Sequence, residues 1–228
     1  MAKHGMEKSL KRLNAPSKLI LPRKDRVWLA KPRAGTHRRS ESIALVSLLR
    51  DLLKIADTAR EADTIIKAGK VMVDGRVIKD PKFPVGFMDV VYIPAVDITY
   101  YLDLDDNGKL VARRDNRKHK YLKITGKRTV NNGKRQFSFD DGRSLLQDAG
   151  YKVGDTLKLS IPDFKVIGHY PMEVGSKCVV TGGKHAGEHG KIAGIIPGTP
   201  ESRAKVEIKT DDGKNFITVK DYIFVVES

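Results

Sequence analysis

The chain has 228 residues, 40% of them hydrophobic, and carries 43 Lys and Arg against 28 Asp and Glu, a formal net charge of +15. That length suits two or three small domains, the apolar content excludes a wholly disordered chain, and the charge makes a polyanion the first partner to expect. A lone cysteine, Cys178, excludes a disulfide framework and a Cys-based zinc site.

No run reaches the ~20 apolar residues of a membrane span, and the basic start lacks the apolar core of a signal peptide. A reducing, cytoplasmic setting is therefore expected. The excess charge is localised. Residues 1–40 hold twelve basic and two acidic residues; residues 41–94 and 171–228 each balance at eight against eight; residues 95–170 carry fifteen against ten. Charge kept for solubility alone would be spread evenly.

Residues 1–41 form the first segment, a basic N-terminal extension. Pro16, Pro22 and Pro32 forbid a long helix, and no periodic apolar face appears. Leu13, Leu19, Ile20, Leu21, Val27 and Trp28 are too apolar for a floating tail, so the segment reads as an arm ordered against a partner with these residues as anchors. With no periodicity linking it to the helices after Ser40, removing residues 1–39 should leave the remaining domains folded.

Residues 42–94 read as a helix-helix-strand module. Ser40 is placed to cap a helix whose Leu45, Leu48, Leu49, Leu52 and Leu53 fall at helical spacing. Thr58-Ala59-Arg60-Glu61 is a capping box opening a second helix through Ile65 and Ile66 to Gly69. Val71 and Val73 then alternate toward the hairpin signal Asp74-Gly75, and "DVVYIP" at 89–94 is a further strand.

Residues 95–170 read as a mostly β central domain, with turns at Asp106-Asn107-Gly108, Asn131-Asn132-Gly133 and Asp140-Asp141-Gly142 and a brief helix expected at 144–150. Residues 171–228 read as a small β-barrel whose last strands are bridged by Asp211-Asp212-Gly213. The whole is an α+β multidomain chain.

"VTGGKHAGEHGKIAGI" at 180–195 contains His185-Ala186-Gly187-Glu188-His189, the order of an inverted zinc-peptidase motif. That chemistry needs both histidines on one helical face, yet Gly187 lies inside the pentapeptide and each interior glycine costs a helix about 0.5–1 kcal/mol. No third ligand is evident, so no metal is expected. Gly182, Gly183, Gly187 and Gly190 instead suit a structural loop, a sharp reversal between strands that lets a partner's backbone come close. Lys184, His185, His189 and Lys191 are then polar donors on that loop.

These residues resemble a known family. Val180–Ile192 is similar to the KOW motif of ribosomal and transcription-elongation proteins, usually set in an SH3-like barrel. Residues 42–94, with "KAGKVMVDGRVI", look like the S-four-type RNA-binding module. Together with "LKRLNAPSK" at 10–18, "PVGFMDV" at 84–90 and "NFITVKDYIFVV" at 215–226, the chain resembles the S-four-e family of small-subunit ribosomal proteins over its whole length. Leu19 departs from the aromatic residue expected there, and the chain lacks the longer basic C-terminal extension of eukaryotic members, which points to the archaeal type. The resemblance implies a ribonucleoprotein of translation with 16S-type ribosomal RNA and neighbouring small-subunit proteins as partners, and with no enzymatic activity, cofactor, membrane or small-molecule substrate.

RNA binding would then rest on cations displacing counterions along phosphates. In the first segment the candidates are Lys8, Lys11, Arg12, Lys18, Arg23, Lys24, Arg26, Lys31, Arg33, Arg38 and Arg39. Trp28 is a candidate for stacking on a base, although packing on the protein's own surface is the commoner fate; His4 and His37 read as solvated. The module supplies Arg50, Lys54, Arg60, Lys67, Lys70 and Arg76. The run "RRDNRKHKYLKITGKR" at 113–128 adds Arg113, Arg114, Arg117, Lys118, Lys120, Lys123, Lys127 and Arg128, with Tyr121 among them as a stacking platform. Two other classes stay open: an RNA-modifying enzyme docking through the module, whose acids would have to come from pairs such as Asp105-Asp106 or Asp140-Asp141 that read as turn formers, and a KOW-containing transcription or ribosome-assembly factor.

Overall fold

A computed structural model describes residues 9–130, 133–210 and 213–227, an α+β chain of mostly strands and few helices. It divides into two compact units: one runs to Asp103 and takes in Leu110–Asn116, and the other comprises Leu104–Lys109 and everything from Arg117. Asn131, Asn132, Asp211 and Asp212, expected in turns, lie outside the described residues, as do His4 and Lys8.

In the first unit, β1 (Leu10–Lys11) pairs antiparallel with β2 (Trp28–Leu29), aligning Leu10 with Leu29 and Lys11 with Trp28. β3 (Ser42–Ala44) is followed by α1 (Leu45–Ser47), which continues as a π-helical turn, Leu48–Leu52, and then by α2 (Ala59–Lys67). The strands β4 (Met72–Val73), β5 (Arg76–Val77), β6 (Pro84–Gly86), β7 (Val90–Ile93), β8 (Ile98–Leu104) and β9 (Leu110–Arg114) complete it. The sheet order is β5-β4-β7-β8-β9, while β3 and β6 pair separately.

The helix expected from Ser40 starts five residues later. Arg39–Glu41 is a 3-10 turn, and Ser42, Ile43 and Ala44 are buried one after another as a strand against β6. Three consecutive buried positions suit a strand enclosed on both faces, and the helical stripe begins only at Leu45, which with Leu48 and Leu49 is fully buried. The second helix follows its caps. Thr58 Oγ1 accepts from Glu61 N at 3.2 Å, Glu61 Oε2 accepts from Thr58 N at 3.3 Å, and Gly69 ends the element in the left-handed region. Asp74 and Gly75, both at positive φ, make the expected hairpin turn between β4 and β5.

The basic N-terminal segment is no arm awaiting a partner. Leu19, Leu21, Leu29 and Ala15 are buried, Leu110 N donates to Lys18 O, and Lys18, Arg33 and His37 pair with Glu41, Asp80 and Asp89. His37, expected in solvent, lies 2.9 Å from Asp89. Of the expected anchors, Leu19 and Leu21 turn inward, whereas Leu13, Ile20, Val27 and Trp28 are exposed. Arg12 is the deepest link. Its side chain is fully buried, with Nη1 3.1 Å from Asp25 Oδ2 and Nη2 2.8 Å from Asp51 Oδ2. Burial pushes the Asp51 carboxyl up, but the hydrogen-bonded guanidinium of Arg50 and the paired one of Arg12 outweigh it and hold that carboxyl below the usual range.

In the second unit, β10 (His119–Thr129), β11 (Arg135–Phe139), β12 (Ser144–Leu146), β13 (Thr156–Ser160) and β14 (Val166–Tyr170) form a sheet of order β12-β11-β10-β13-β14. Its core is Leu122, Ile124, Phe137, Phe139, Leu157 and Leu159. The brief helix expected at 144–150 is instead β12 followed by irregular chain. Ser144–Leu146 pairs with Gln136–Ser138, which places Leu145 opposite Phe137 and against the core, so cross-strand packing overrides local helical preference. A second sheet, order β18-β17-β16-β15-β19, contains β15 (Lys177–Val180), β16 (His189–Ile196), β17 (Lys205–Thr210), β18 (Asn215–Val219) and β19 (Ile223–Val225). Its core is Met172, Cys178, Val180, Ile192, Val206, Ile208, Ile223 and Val225.

Arg12→Ala should destabilise the first unit by roughly 3 kcal/mol, the lower part of the range for breaking a buried pair because Asp51 keeps Arg50. Removal of residues 1–39 should abolish its cooperative unfolding, since that takes Leu19, Leu21 and Leu29 from the core. Urea denaturation followed by circular dichroism checks both; a truncated chain as stable as the full one would show the segment to be dispensable.

Candidate nucleic-acid interface

The glycine-rich stretch runs from a turn into a strand. Gly187 has φ +94°, and a Cβ there would stand 2.1 Å from Asp105 O and 2.6 Å from Gly108 N, both in the Leu104–Lys109 piece of the same unit. At Gly190 a Cβ would meet Lys209 O at 2.6 Å. At these two positions the backbone that comes close is the chain's own, where a partner's was expected. Backbone approach is not the role of Gly182 and Gly183. At Gly182, which is buried, a Cβ would meet the Tyr222 ring at 2.8 Å, so a side chain and not a backbone fills the space. Gly183 is exposed, and a Cβ there would stand 3.5 Å from the same ring in ordinary contact; its φ of +85° is what calls for glycine.

The loop is also shorter than expected: His189, Gly190 and Lys191 already belong to β16. His185 Nδ1 lies 2.9 Å from Glu188 Oε1, and its ring stacks on Phe216 with centroids 4.1 Å apart. The two histidines thus sit in a turn and on a strand, not along one helical face, and no cluster of three His, Cys, Asp or Glu side chains suited to a metal forms among the described residues.

Four of the expected RNA contacts are interior. Besides Arg12, Lys120 is fully buried with Nζ 3.5 Å from Asp141 Oδ2. Lys123 Nζ donates to Lys220 O at 3.2 Å and Asp221 O at 2.8 Å. Burial holds its ammonium down to about 8, against the opposing pull of Asp140 and Asp221. Tyr121, expected as a stacking platform, is buried with its hydroxyl donating to Glu227 Oε2 at 2.6 Å; burial and then that carboxylate push it up to about 12. Residues 120–124 of β10 are buried on both faces while the strand from Thr125 onward is mostly open, so its cations divide between interior and solvent in a way composition does not show.

Other candidates are partly engaged. Arg23 donates to Ala15 O and Pro16 O, Arg50 to Asp51, and Lys67 pairs with Asp63. Arg113 lies 3.5 Å from Asp103, Arg114 sits over the Tyr100 ring, and Arg26 is 3.6 Å from Asp25. Lys31 and Arg117 are half-buried. Lys127 donates to Tyr151 O and Arg128 to Gln136 Oε1 from exposed positions. Lys11, Lys24, Arg38, Arg39, Lys54, Arg60, Lys70, Arg76, Lys118, Lys184, His189 and Lys191 are exposed. The run 113–128 is divided by the boundary between the units after Asn116.

Two features bring such residues together. Trp28 is 57% exposed and stands directly opposite Lys11 in the β1–β2 pair, with exposed Val27 just before it and exposed Leu13 two residues after Lys11. Facing residues of an antiparallel pair have Cβ atoms ~5 Å apart, so a flat aromatic and a cation share one outer face. The other feature escaped the sequence: strand register sets Lys177 opposite Lys191 and Lys191 opposite Lys209. These lysines are 14 and 18 positions apart in a segment whose charges balance, and only the register of β15, β16 and β17 aligns them.

Comparison with known proteins gives consistent matches. Residues 4–40 match the RS4NT (NUC023) domain, residues 45–91 the S4 domain and residues 98–166 the ribosomal family S4e. The chain is similar to the small ribosomal subunit protein eS4 of Methanothermobacter thermautotrophicus, 42% identical over 99% of this chain and 95% of that protein. It is also similar to that of Archaeoglobus fulgidus, 41% identical over 95% and 92%. Among solved structures, the crystal structure of the 30S ribosomal protein S4e from Thermoplasma acidophilum matches with a TM-score of 0.69 at 34% identity, covering 82% of this chain and 96% of that one.

Gly187→Val should lower the melting temperature well beyond His189→Ala, because positive φ alone costs a β-branched residue roughly 1–3 kcal/mol and the Asp105 carbonyl must also move; equal melting points would refute the constraint. Lys123 gives a pH test with a definite sign. Its folded-state value is below the ordinary 10.5, so the unfolded chain binds the extra proton between about 8 and 10.5. The stability of the protein relative to Lys123→Met should therefore rise across that window, as read by urea denaturation at stepped pH.

Proposed function

Since the chain belongs to the S4e family of ribosomal proteins, we propose that it is a structural constituent of the small ribosomal subunit that holds 16S-type ribosomal RNA by neutralising phosphates and fitting RNA shape, with no reaction to catalyse. The observation that carries this reading is the match to small-subunit proteins over nearly the full length of both chains. The surface supports it: most of the charge excess lies in residues 1–40, and of that segment's described basic residues only Arg12 is buried, leaving the others at least partly open to solvent.

In this reading residues 1–41 are a folded basic extension, residues 42–94 an S4-type module, residues 95–170 a central β domain and residues 171–228 an SH3-like barrel built around a KOW motif. The site of action is the cytoplasmic ribosome, beside other small-subunit proteins. Lysines supply point charges to phosphates, arginines fork onto phosphate oxygens, and exposed Trp28 offers a face to an unpaired base. Phosphate contacts fix position, while base contacts and RNA shape choose the site.

Ribosomes washed in high salt should retain the protein in the small-subunit fraction on a sucrose gradient; its release into the soluble fraction would count against the proposal. In binding to small-subunit rRNA transcribed in vitro, the combined change Lys24→Gln, Arg38→Gln and Lys70→Gln should flatten the log–log salt slope by roughly 2 to 3. Trp28→Ala should instead weaken binding by roughly 1–3 kcal/mol at unchanged slope. Trp28 is the chain's single tryptophan, so its emission reports that contact directly.

A further inference from the structure

The aligned lysines of the C-terminal sheet have a cost that their fold does not require. In register across β15, β16 and β17, Lys177 faces Lys191 and Lys191 faces Lys209, with Asn215 of β18 next in the row. All four are exposed. Neighbouring strands lie ~4.8 Å apart, so three ammonium groups rise from a line ~10 Å long on one face. Like charges directly opposite each other destabilise a sheet, and here Lys191 has one on each side. None of the three lysines is in an ion pair among the described residues; Glu207, two residues before Lys209 on β17, is the acid of that strand.

We propose that Lys177, Lys191 and Lys209 form a cross-strand cationic ladder that binds the phosphodiester backbone of RNA, a contact that rests on the RNA-binding reading above and deepens it. All three residues are lysines. A lysine is a point charge on a flexible stem, which follows phosphates at variable positions along a strand; fixed pairing with the planar carboxylates of an acidic protein is better served by arginine. The ladder stands on a rigid five-stranded sheet whose opposite face is the core containing Cys178, Ile192 and Ile208, the residues adjacent to the lysines in each strand. Its position is therefore set before RNA arrives, and the repulsion stored in the free sheet is relieved when phosphates enter.

Two readouts of opposite sign test this with the full chain. The triple variant Lys177→Gln, Lys191→Gln, Lys209→Gln should bind in vitro transcribed small-subunit rRNA with a salt slope shallower by roughly 2 to 3. The same variant, free of RNA, should melt at a higher temperature than the unaltered protein in low salt, and the gap should close as salt is added. Both results together support the ladder. An unchanged slope, while the Lys24, Arg38 and Lys70 variant still flattens it, overturns the ladder and leaves the proposed function standing. An unchanged slope accompanied by lost binding to poly-glutamate also overturns it and assigns the row to an acidic protein. Failure of the unaltered protein to bind the rRNA at all removes both readings.

Discussion

A chain with fifteen surplus positive charges folds only if every cation it takes inside finds an acceptor there. Each buried cation meets that condition differently. Arg12 reaches two carboxylates, Lys120 approaches Asp141, and Lys123 replaces the carboxylate with two backbone carbonyls of the 3-10 turn Lys220–Tyr222. The Asp51 carboxylate, shared by Arg12 and Arg50, joins buried Leu19, Leu21 and Leu29 in tying the most basic segment into the first unit. In the second unit, Lys123 joins the central sheet to the turn that leads into β19, while Lys158 and Tyr121 hold Glu227 just beyond that strand. Folding thus consumes acids near the interior cations and leaves the unmatched charge outside.

What remains outside is arranged by strand register more than by sequence neighbourhood. Lys11 gains an aromatic partner across the β1–β2 pair, and Lys191 gains two lysine neighbours across β16. The second arrangement opposes folding, since it sets like charges directly opposite each other. A sheet that bears such a row spends part of its own stability on it. Net charge by segment hides the row entirely, since residues 171–228 balance.

Much of the fold was legible wherever a local interaction decides it. The Thr58–Glu61 capping box, the Asp74-Gly75 turn and the left-handed glycines at 69, 108 and 142 are local rules obeyed locally. The errors fall where a distant strand overrides the local pattern. Ser42–Ala44 and Ser144–Leu146 become strands through pairing with residues 84–86 and 136–138, which no window around them contains. The same holds for the candidate site: that Lys24 and Arg38 are exposed while Arg12 is sealed depends on Asp25 and Asp51, and the lysine row depends on three strands finding one register. Residue type announces the class of partner, and pairing decides which residues are available to it.

The stretch around Gly187 shows how one short sequence carries two incompatible chemistries until the backbone is known. His185 and His189 satisfy a metal motif as a string, but the glycine between them places Glu188 back on His185 and puts His189 on a strand. Gly187 has no side chain because the Asp105 carbonyl occupies the place where its Cβ would be, so the glycine is required by packing against the 104–109 turn. Once that contact exists, β16 starts at His189, Lys191 falls two residues along on the solvent face, and Gly190 lets the Lys209 backbone close in beside it. The turn rules out the metal motif, and the strand that leaves it carries Lys191 between Lys177 and Lys209, with Cys178, Ile192 and Ile208 on the opposite face holding the three strands to the core.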